Sequence, residues 1–200
     1  STSSDLTVSD GIVDLVITDV NGCIANDQVT ITQDITPTTI VSGGGDICND
    51  GTMVNINFNF IGRVPWNLVF TDGNINYTIT NISDSNYTYT TNTSGSYEIV
   101  QADDVNNCIA NRVGVANVIV NPSPVAVITP SESIIYENEE INLTAGNYTL
   151  YEWYTTNDSL ISTEEVLTVT DSGSFYIWVE DENGCEDFSE IAIVHQVPLT

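Results

Sequence analysis

Residues 173–185 read Gly-Ser-Phe-Tyr-Ile-Trp-Val-Glu-Asp-Glu-Asn-Gly-Cys, and a similar pattern begins at Gly11 and at Gly95. Each copy has a glycine, alternating apolar residues and an Asp-x-Asn turn that leads to a cysteine. The spacing from glycine to cysteine is the same in the first and third copies and one residue longer in the second. Because alternation is typical of a half-buried strand and Asp and Asn favour turns, each copy predicts a β-hairpin.

The repeat also predicts the domain organisation. The cysteines that end the copies are roughly 80 residues apart, about the length of a compact β-sandwich. Pro37, Pro122 and Pro124 follow the predicted last strands and mark linkers. We therefore expect an all-β chain of tandem antiparallel sandwiches: the C-terminal part of one repeat at 1–35, a complete domain at 36–121 and another at 122–200.

The middle repeat has the clearest core pattern. Val54, Ile56, Phe58 and Phe60 alternate along one predicted strand, and the segment that starts at Trp66 should provide the opposing sheet. The first 34 residues hold too few strands to close a core. The apolar side chains left without an opposing sheet are Val13, Leu15, Ile17, Val29 and Ile31. Either the fold begins upstream of Ser1, or another part of the assembly, such as a second copy of the chain, completes it.

Two motifs resemble immunoglobulin domains. Asp171-Ser-Gly-Ser-Phe-Tyr-Ile177 and Thr93-Ser-Gly-Ser-Tyr-Glu-Ile99 are similar to the Asp-Ser-Gly-x-Tyr-x-Cys entry to strand F. The resemblance places Tyr97 at the tyrosine corner and Trp66 and Trp153 on strand C. It implies immunoglobulin-like sandwiches and is silent on function.

A second resemblance covers almost the whole chain. Val16-Ile-Thr-Asp-Val-Asn-Gly-Cys-Ile-Ala25 with Val29-Thr-Ile-Thr-Gln33 looks like the end of an SprB-type repeat of Bacteroidetes gliding-motility adhesins. Cys48-Asn-Asp-Gly51 with Pro65-Trp-Asn-Leu-Val-Phe-Thr-Asp-Gly73 is similar to related Ig-like or PKD-like domains. This resemblance implies export by the type IX secretion system and display at the outer membrane as an adhesin or filament.

The charge and the lack of a long apolar run each exclude one class of partner. The chain has 28 acidic residues and two cations, Arg63 and Arg112, for a formal charge of −26. A nucleic acid partner is excluded, because such a chain cannot displace the counterions of a phosphate backbone. We also expect no insertion into a membrane, because no apolar run is long enough to span one. Since Ser1 follows no recognisable export signal, we expect an internal or processed fragment of a secreted protein.

Four cysteines in an acidic β-rich chain favour an oxidising compartment. Cys48 precedes a strand and Cys108 follows a turn of the same repeat, so both could meet at one pole of the sandwich. We therefore predict a Cys48–Cys108 disulfide. By analogy Cys23 would pair upstream of Ser1, and Cys185 would be a free thiol or pair outside the chain.

Calcium is the only cofactor that the sequence suggests, and we otherwise expect none. Hard oxygen ligands occur at the three turns, at Asp19 and Asn21, Asp104 and Asn106, and Asp181 and Asn183. Each turn has only two or three ligands, whereas Ca²⁺ takes six to eight, so ordinary turn chemistry is the competing interpretation.

Surface polysaccharide is a further candidate partner. Tyrosines among Asn and Thr could stack on sugar rings, and the candidates are Tyr77, Tyr87, Tyr89, Tyr148, Tyr151 and Tyr154. Alternation should bury about half of them. Asp158-Ser-Leu160 resembles a Bacteroidetes O-glycosylation motif, so Ser159 is a candidate glycan site.

An enzymatic function is not expected, because the one histidine, His195, is on a terminal strand without a plausible nucleophile beside it. The sequence favours a structural or adhesive repeat region of a large secreted cell-surface protein, in contact with neighbouring repeats or other copies. The alternatives are a carbohydrate-binding module and an accessory region of a secreted polysaccharide-degrading enzyme.

Overall fold

The computed structural model describes residues 11–32 and 35–198, and every regular element in these ranges is a β-strand. Three units follow one another along the chain. They are a hairpin, here called the first hairpin, a sandwich called the middle repeat, and a second sandwich called the third repeat. Each sheet is formed by strands of one unit only.

The first hairpin consists of β1 (Gly11–Thr18) and β2 (Ile24–Ile31), paired antiparallel from Gly11 opposite Ile31 to Thr18 opposite Ile24. Within the described residues, its two strands form a sheet of their own. Leu15, Ile17 and Val29 are each more than half exposed. Among the residues that the structure describes, no second sheet covers this apolar face, as the sequence predicts.

The middle repeat contains nine strands. They are β3 (Thr38–Gly43), β4 (Gly45–Cys48), β5 (Val54–Ile61), β6 (Trp66–Thr71), β7 (Asn76–Ile82), β8 (Asn86–Thr91), β9 (Gly95–Asp103), β10 (Asn111–Val113) and β11 (Ala116–Asn121). One sheet has the order β10-β3-β5-β8 and the other β4-β11-β9-β6-β7. Because both sheets contribute to one buried cluster, the unit is a two-layer sandwich.

Alternation predicts this core correctly. Phe58 is fully buried from β5 and packs on Phe70 from β6, with ring centroids 4.7 Å apart. Phe60 stacks on Trp66 at 5.0 Å. Each ring removes a large apolar area from water, so these pairs dominate the cohesion of the two sheets.

Tyr97 occupies the predicted tyrosine corner. Its hydroxyl donates to the backbone oxygen of Thr93, 3.0 Å away, and lies 3.0 Å from the Thr91 hydroxyl. The ring itself is fully buried. The polar end of a core side chain is thus satisfied by residues just before β9 begins.

A glycine allows the chain to change sheets between β3 and β4. Gly44 has φ +78°, and a Cβ there would collide with the backbone oxygen of Asn117 on β11. Beyond it, β4 pairs parallel with β11, whereas β3 pairs with β5 in the opposite sheet. The sequence did not predict β4, because a four-residue strand is too short to show a period.

The third repeat has eight strands. They are β12 (Glu132–Tyr136), β13 (Ile141–Thr144), β14 (Leu150–Thr155), β15 (Leu160–Ser162), β16 (Val166–Val169), β17 (Gly173–Glu180), β18 (Glu186–Phe188) and β19 (Ala192–Val197). One sheet has the order β12-β19-β17-β14-β15, with β18 also paired to β17, and it faces the pair β13-β16. Trp153, Ile177 and Val179 are fully buried between the two layers.

The segment that opens the third repeat differs from its sequence pattern. Residues 125–129 are apolar and β-branched enough to predict a first strand, but they contribute only an isolated bridge between Thr129 and Thr144. The strand that flanks the sheet is β12, which pairs parallel with β19. Pro130 has no N–H to donate, so a continuous ladder cannot run through this segment.

Candidate functional site

The turn after β17 presents a cysteine on a hydrogen-bonded loop. The carboxylate of Asp181 accepts from the backbone N–H groups of Asn183 at 2.8 Å and Cys185 at 2.9 Å. The N–H of Asp181 donates to the Cys185 oxygen at 2.9 Å. Donation from the Cys185 N–H lowers the pKa of Asp181 below its ordinary value. The turn is therefore pinned by one ionised side chain.

The same turn occurs at the other two copies of the motif. Asp19 accepts from Asn21 at 2.8 Å and from Cys23 at 2.9 Å, and its pKa is lowered by the same backbone donors. Asp104 accepts from the N–H groups of Asn106 and Cys108 at 2.9 and 3.1 Å. We call Cys23, Cys108 and Cys185 the turn cysteines.

The structure bonds Cys185 to Cys48, with an S–S distance of 2.05 Å and a Cα–Cα distance of 5.6 Å. Cys48 is the last residue of β4, opposite Asn121, the last residue of β11. The N–H of Asn49 donates to the Asn121 oxygen at 2.9 Å. Cys48 thus lies at the end of the middle repeat from which the chain leaves.

Cys185 lies at the end of the third repeat at which the chain enters. Asp187, two residues further on, accepts from the N–H of Ala126 at 2.8 Å. The hydroxyl of Tyr148 donates to the Val125 oxygen in the same region. The bond therefore bridges the joint between the two repeats, beside the linker 122–125, and we call it the inter-repeat disulfide.

The predicted Cys48–Cys108 bond is wrong. Cys108 is a free thiol at the opposite pole of the middle repeat, where the N–H of Asn111 donates to the oxygen of Pro37. The eight residues of β5 run between the two poles, a span of about 25 Å at about 3.4 Å per residue. A disulfide requires Cα atoms within about 7 Å. Cys23 is also a free thiol and is exposed.

The predicted calcium ligands lie in these turns. In each turn one oxygen of the aspartate, Asp19, Asp104 or Asp181, already accepts two backbone N–H groups. Among residues 11–32 and 35–198, no group of three or more His, Cys, Asp or Glu side chains could hold a metal ion. Turn chemistry accounts for the carboxylate contacts at all three positions.

The tyrosines proposed for sugar stacking do not form one platform. Tyr77, Tyr87 and Tyr89 pack against the core of the middle repeat, and Tyr77 donates to Asp72 at 2.9 Å. Tyr148 and Tyr151 pack against the core of the third repeat and bond to its backbone. Tyr154 stacks on Tyr176, with centroids 5.2 Å apart. Most of the candidate rings thus pack against the cores of the two sandwiches.

The remaining predicted residues lie at the surface. Ser159 is exposed in the turn between β14 and β15, where its backbone oxygen accepts from the N–H of Thr155. His195 lies on β19, 3.7 Å from the carboxylate of Glu132, and both side chains are more than half exposed. None of the described elements is a helix that could cross a membrane.

Comparisons with known proteins support the fold alone. No protein-family model matches the chain, and no curated protein is similar to it in sequence. A three-domain immunoglobulin fragment of titin, a Glu-to-Ala variant, aligns over 81% of this chain and 66% of its own, with 16% identity and a TM-score of 0.51. A 1.5-MDa bacterial ice-binding adhesin aligns over 96% of this chain and 76% of its own, with 13% identity and a TM-score of 0.49. At such identities the titin match establishes immunoglobulin-like β-sandwiches and nothing about function.

Proposed function

We propose that this chain is a non-catalytic structural repeat region of a large secreted cell-surface protein, in which successive sandwiches are held in a fixed orientation. The single observation that carries the proposal is the inter-repeat disulfide between Cys48 and Cys185. A bond within a repeat would stabilise that repeat only. A bond across a joint constrains how two repeats are arranged, which matters to a spacer.

The joint has two covalent connections. The chain itself passes through Pro122, Ser123 and Pro124, and the disulfide lies beside it. Domains joined by a single linker move relative to one another unless a large interface holds them. A second connection removes most of the bending and twisting that one linker permits, as expected of a rod that holds a distal part away from a surface.

The disulfide and the net charge of the chain both suit a protein at a cell surface. A structural disulfide persists in oxidising compartments outside the cytosol. The formal charge of −26 keeps neighbouring molecules apart and hydrated in a crowded surface layer. The SprB-type resemblance favours the surface of a gliding bacterium and export by the type IX system. On this proposal the chain needs no cofactor, and its partners are adjoining repeats of the same fold.

Small-angle X-ray scattering of the full chain tests the proposal. We compare the wild type with a Cys48→Ser/Cys185→Ser variant, in which both repeats keep their cores but the joint has one connection. The wild type should give a narrow distribution of inter-repeat distances, and the variant a broader one with a less distinct maximum.

The matched control is Cys23→Ser/Cys108→Ser, which removes the same number of sulfur atoms and leaves the inter-repeat disulfide intact. It should scatter like the wild type. Identical distance distributions for the wild type and the Cys48→Ser/Cys185→Ser variant would show that the bond does not set the joint, and the spacer proposal would then lose its support.

A further inference from the structure

The three turn cysteines are presented in the same way, but only one is bonded. Cys108 ends a turn whose aspartate makes the same pair of backbone contacts as the aspartate before Cys185. Cys185 is fully buried by its bond, whereas Cys108 is a partly exposed thiol. Cys108 therefore has the backbone geometry of the bonded Cys185 but no disulfide partner among the described residues.

The partner position is also defined by register. Cys48 stands opposite Asn121 at the end of the parallel pair β4–β11. In the third repeat the parallel pair β12–β19 places Tyr136 opposite Val197 in the same way. Tyr136 is thus the structural counterpart of Cys48. At the joint between the middle and third repeats, the turn cysteine Cys185 meets this position of the repeat before it.

We propose that Cys108 is a second inter-repeat crosslinking site. Its partner would be a cysteine in the Cys48 position of another immunoglobulin-like repeat, one that packs on the pole of the middle repeat where Pro37 lies. This inference rests on the proposed spacer function, and it adds that the crosslink is a property of the repeat, used at successive joints. By the same geometry, Cys23 is the crosslinking cysteine of the repeat to which the first hairpin belongs.

The bond forms by thiol–disulfide exchange with a small disulfide oxidant such as oxidised glutathione. The partner thiolate first attacks the oxidant, forms a mixed disulfide and releases one glutathione thiolate. The Cys108 thiolate then attacks the partner sulfur of that mixed disulfide and releases the second. Two protein thiols lose two protons and two electrons, and the oxidant is reduced to two thiols.

A fusion protein supplies the missing partner. In this fusion, the full chain with Tyr136→Cys is the first copy and residues 36–200 follow it directly as the second copy. The new thiol then lies at the end of the first copy's third repeat from which the chain leaves. Cys108 of the second copy faces that thiol. Residues 36–200 contain both closed cores, and neither core includes a residue of the first hairpin. The Cys48–Cys185 bond of each copy reports that the copy has folded.

After equilibration in a glutathione buffer, free thiols are alkylated and disulfide-linked peptides are mapped by mass spectrometry. We expect a peptide that links position 136 of the first copy to Cys108 of the second, and about tenfold less alkylation of that Cys108 than in the single chain, because the linker raises the effective concentration. The matched control carries Glu132→Cys, at the other end of β12, and should leave Cys108 reactive.

Full-length chains with Tyr136→Cys, mixed without fusion, give a second and independent measurement, in which linked copies should accumulate through the same two positions. The proposal is overturned if Cys108 is alkylated or carries only glutathione in both formats, or if Glu132→Cys links to it equally well. These outcomes are separable from the scattering test, because loose joints with correct pairing would refute the spacer function and leave the crosslinking site.

Discussion

The first hairpin and the corresponding strands of the third repeat share a sequence pattern and a turn, but they differ in burial. Leu15 and Ile177 hold the same position after the glycine of the motif, and they are 53% and 0% exposed. The turns at Asp19 and Asp181 make matching backbone contacts. The pattern therefore specifies strand and turn locally, whereas burial depends on an opposing sheet, here β13 and β16.

Truncation of a core side chain should have the largest effect on the free energy of unfolding. Ile177→Ala should lower the free energy of unfolding by about 2–5 kcal/mol, because it leaves a cavity between two closed layers. Leu15→Ala, at the matching position, should change it by less than about 0.5 kcal/mol. Urea unfolding followed by tryptophan fluorescence measures both. A comparable loss for Leu15→Ala would mean that the hairpin is covered in solution.

A smaller effect is expected from the turn carboxylate. The backbone N–H of Cys185 lowers the pKa of Asp181, so its charge stabilises the folded state above the unfolded pKa of about 3.9, and this stability is lost as the pH falls through the folded pKa. Asp181→Asn should therefore lower the melting temperature near neutral pH, and the difference from wild type should shrink below about pH 4.

Asp19→Asn is the matched variant for that measurement, because it alters the same turn on the exposed hairpin. Its melting temperature should follow the wild type at every pH. A difference for Asp181→Asn that persisted unchanged in acid would mean that the side-chain charge is not what holds the turn.

The smallest effect is expected from removal of divalent cations. Since the turn carboxylates already accept backbone N–H groups, calcium should add little by mass action. Calorimetry with excess EDTA and with millimolar calcium should give melting temperatures within a few degrees of each other. A collapse of the transition in EDTA would instead identify a cation as part of the folded state.

Sequence reasoning succeeded where the signal is local. The alternation that ends in Phe60 and the Pro-Trp segment predicted the strands and core of the middle repeat, because period-two burial is a property of each strand. The disulfide was predicted wrongly because the pairing depends on which pole of the sandwich each cysteine occupies. The missing fact was β4, which carries Cys48 along β11 to the exit of the repeat. One available signal was that the third repeat has a turn cysteine but none near its own β12.

The position of the inter-repeat disulfide also determines how the molecule responds to being pulled. Cys48 and Cys185 are 137 residues apart in sequence, and tension applied at the two termini crosses between them through the sulfur atoms. The intervening chain would otherwise release roughly 450–490 Å on full extension, at about 3.3–3.6 Å per residue. With the bond in place, the chain between the two cysteines cannot be extended. Most strands of both sandwiches therefore do not bear the applied force. An oxidised chain of this kind extends only through residues 1–47 and 186–200 before its covalent bonds bear the load.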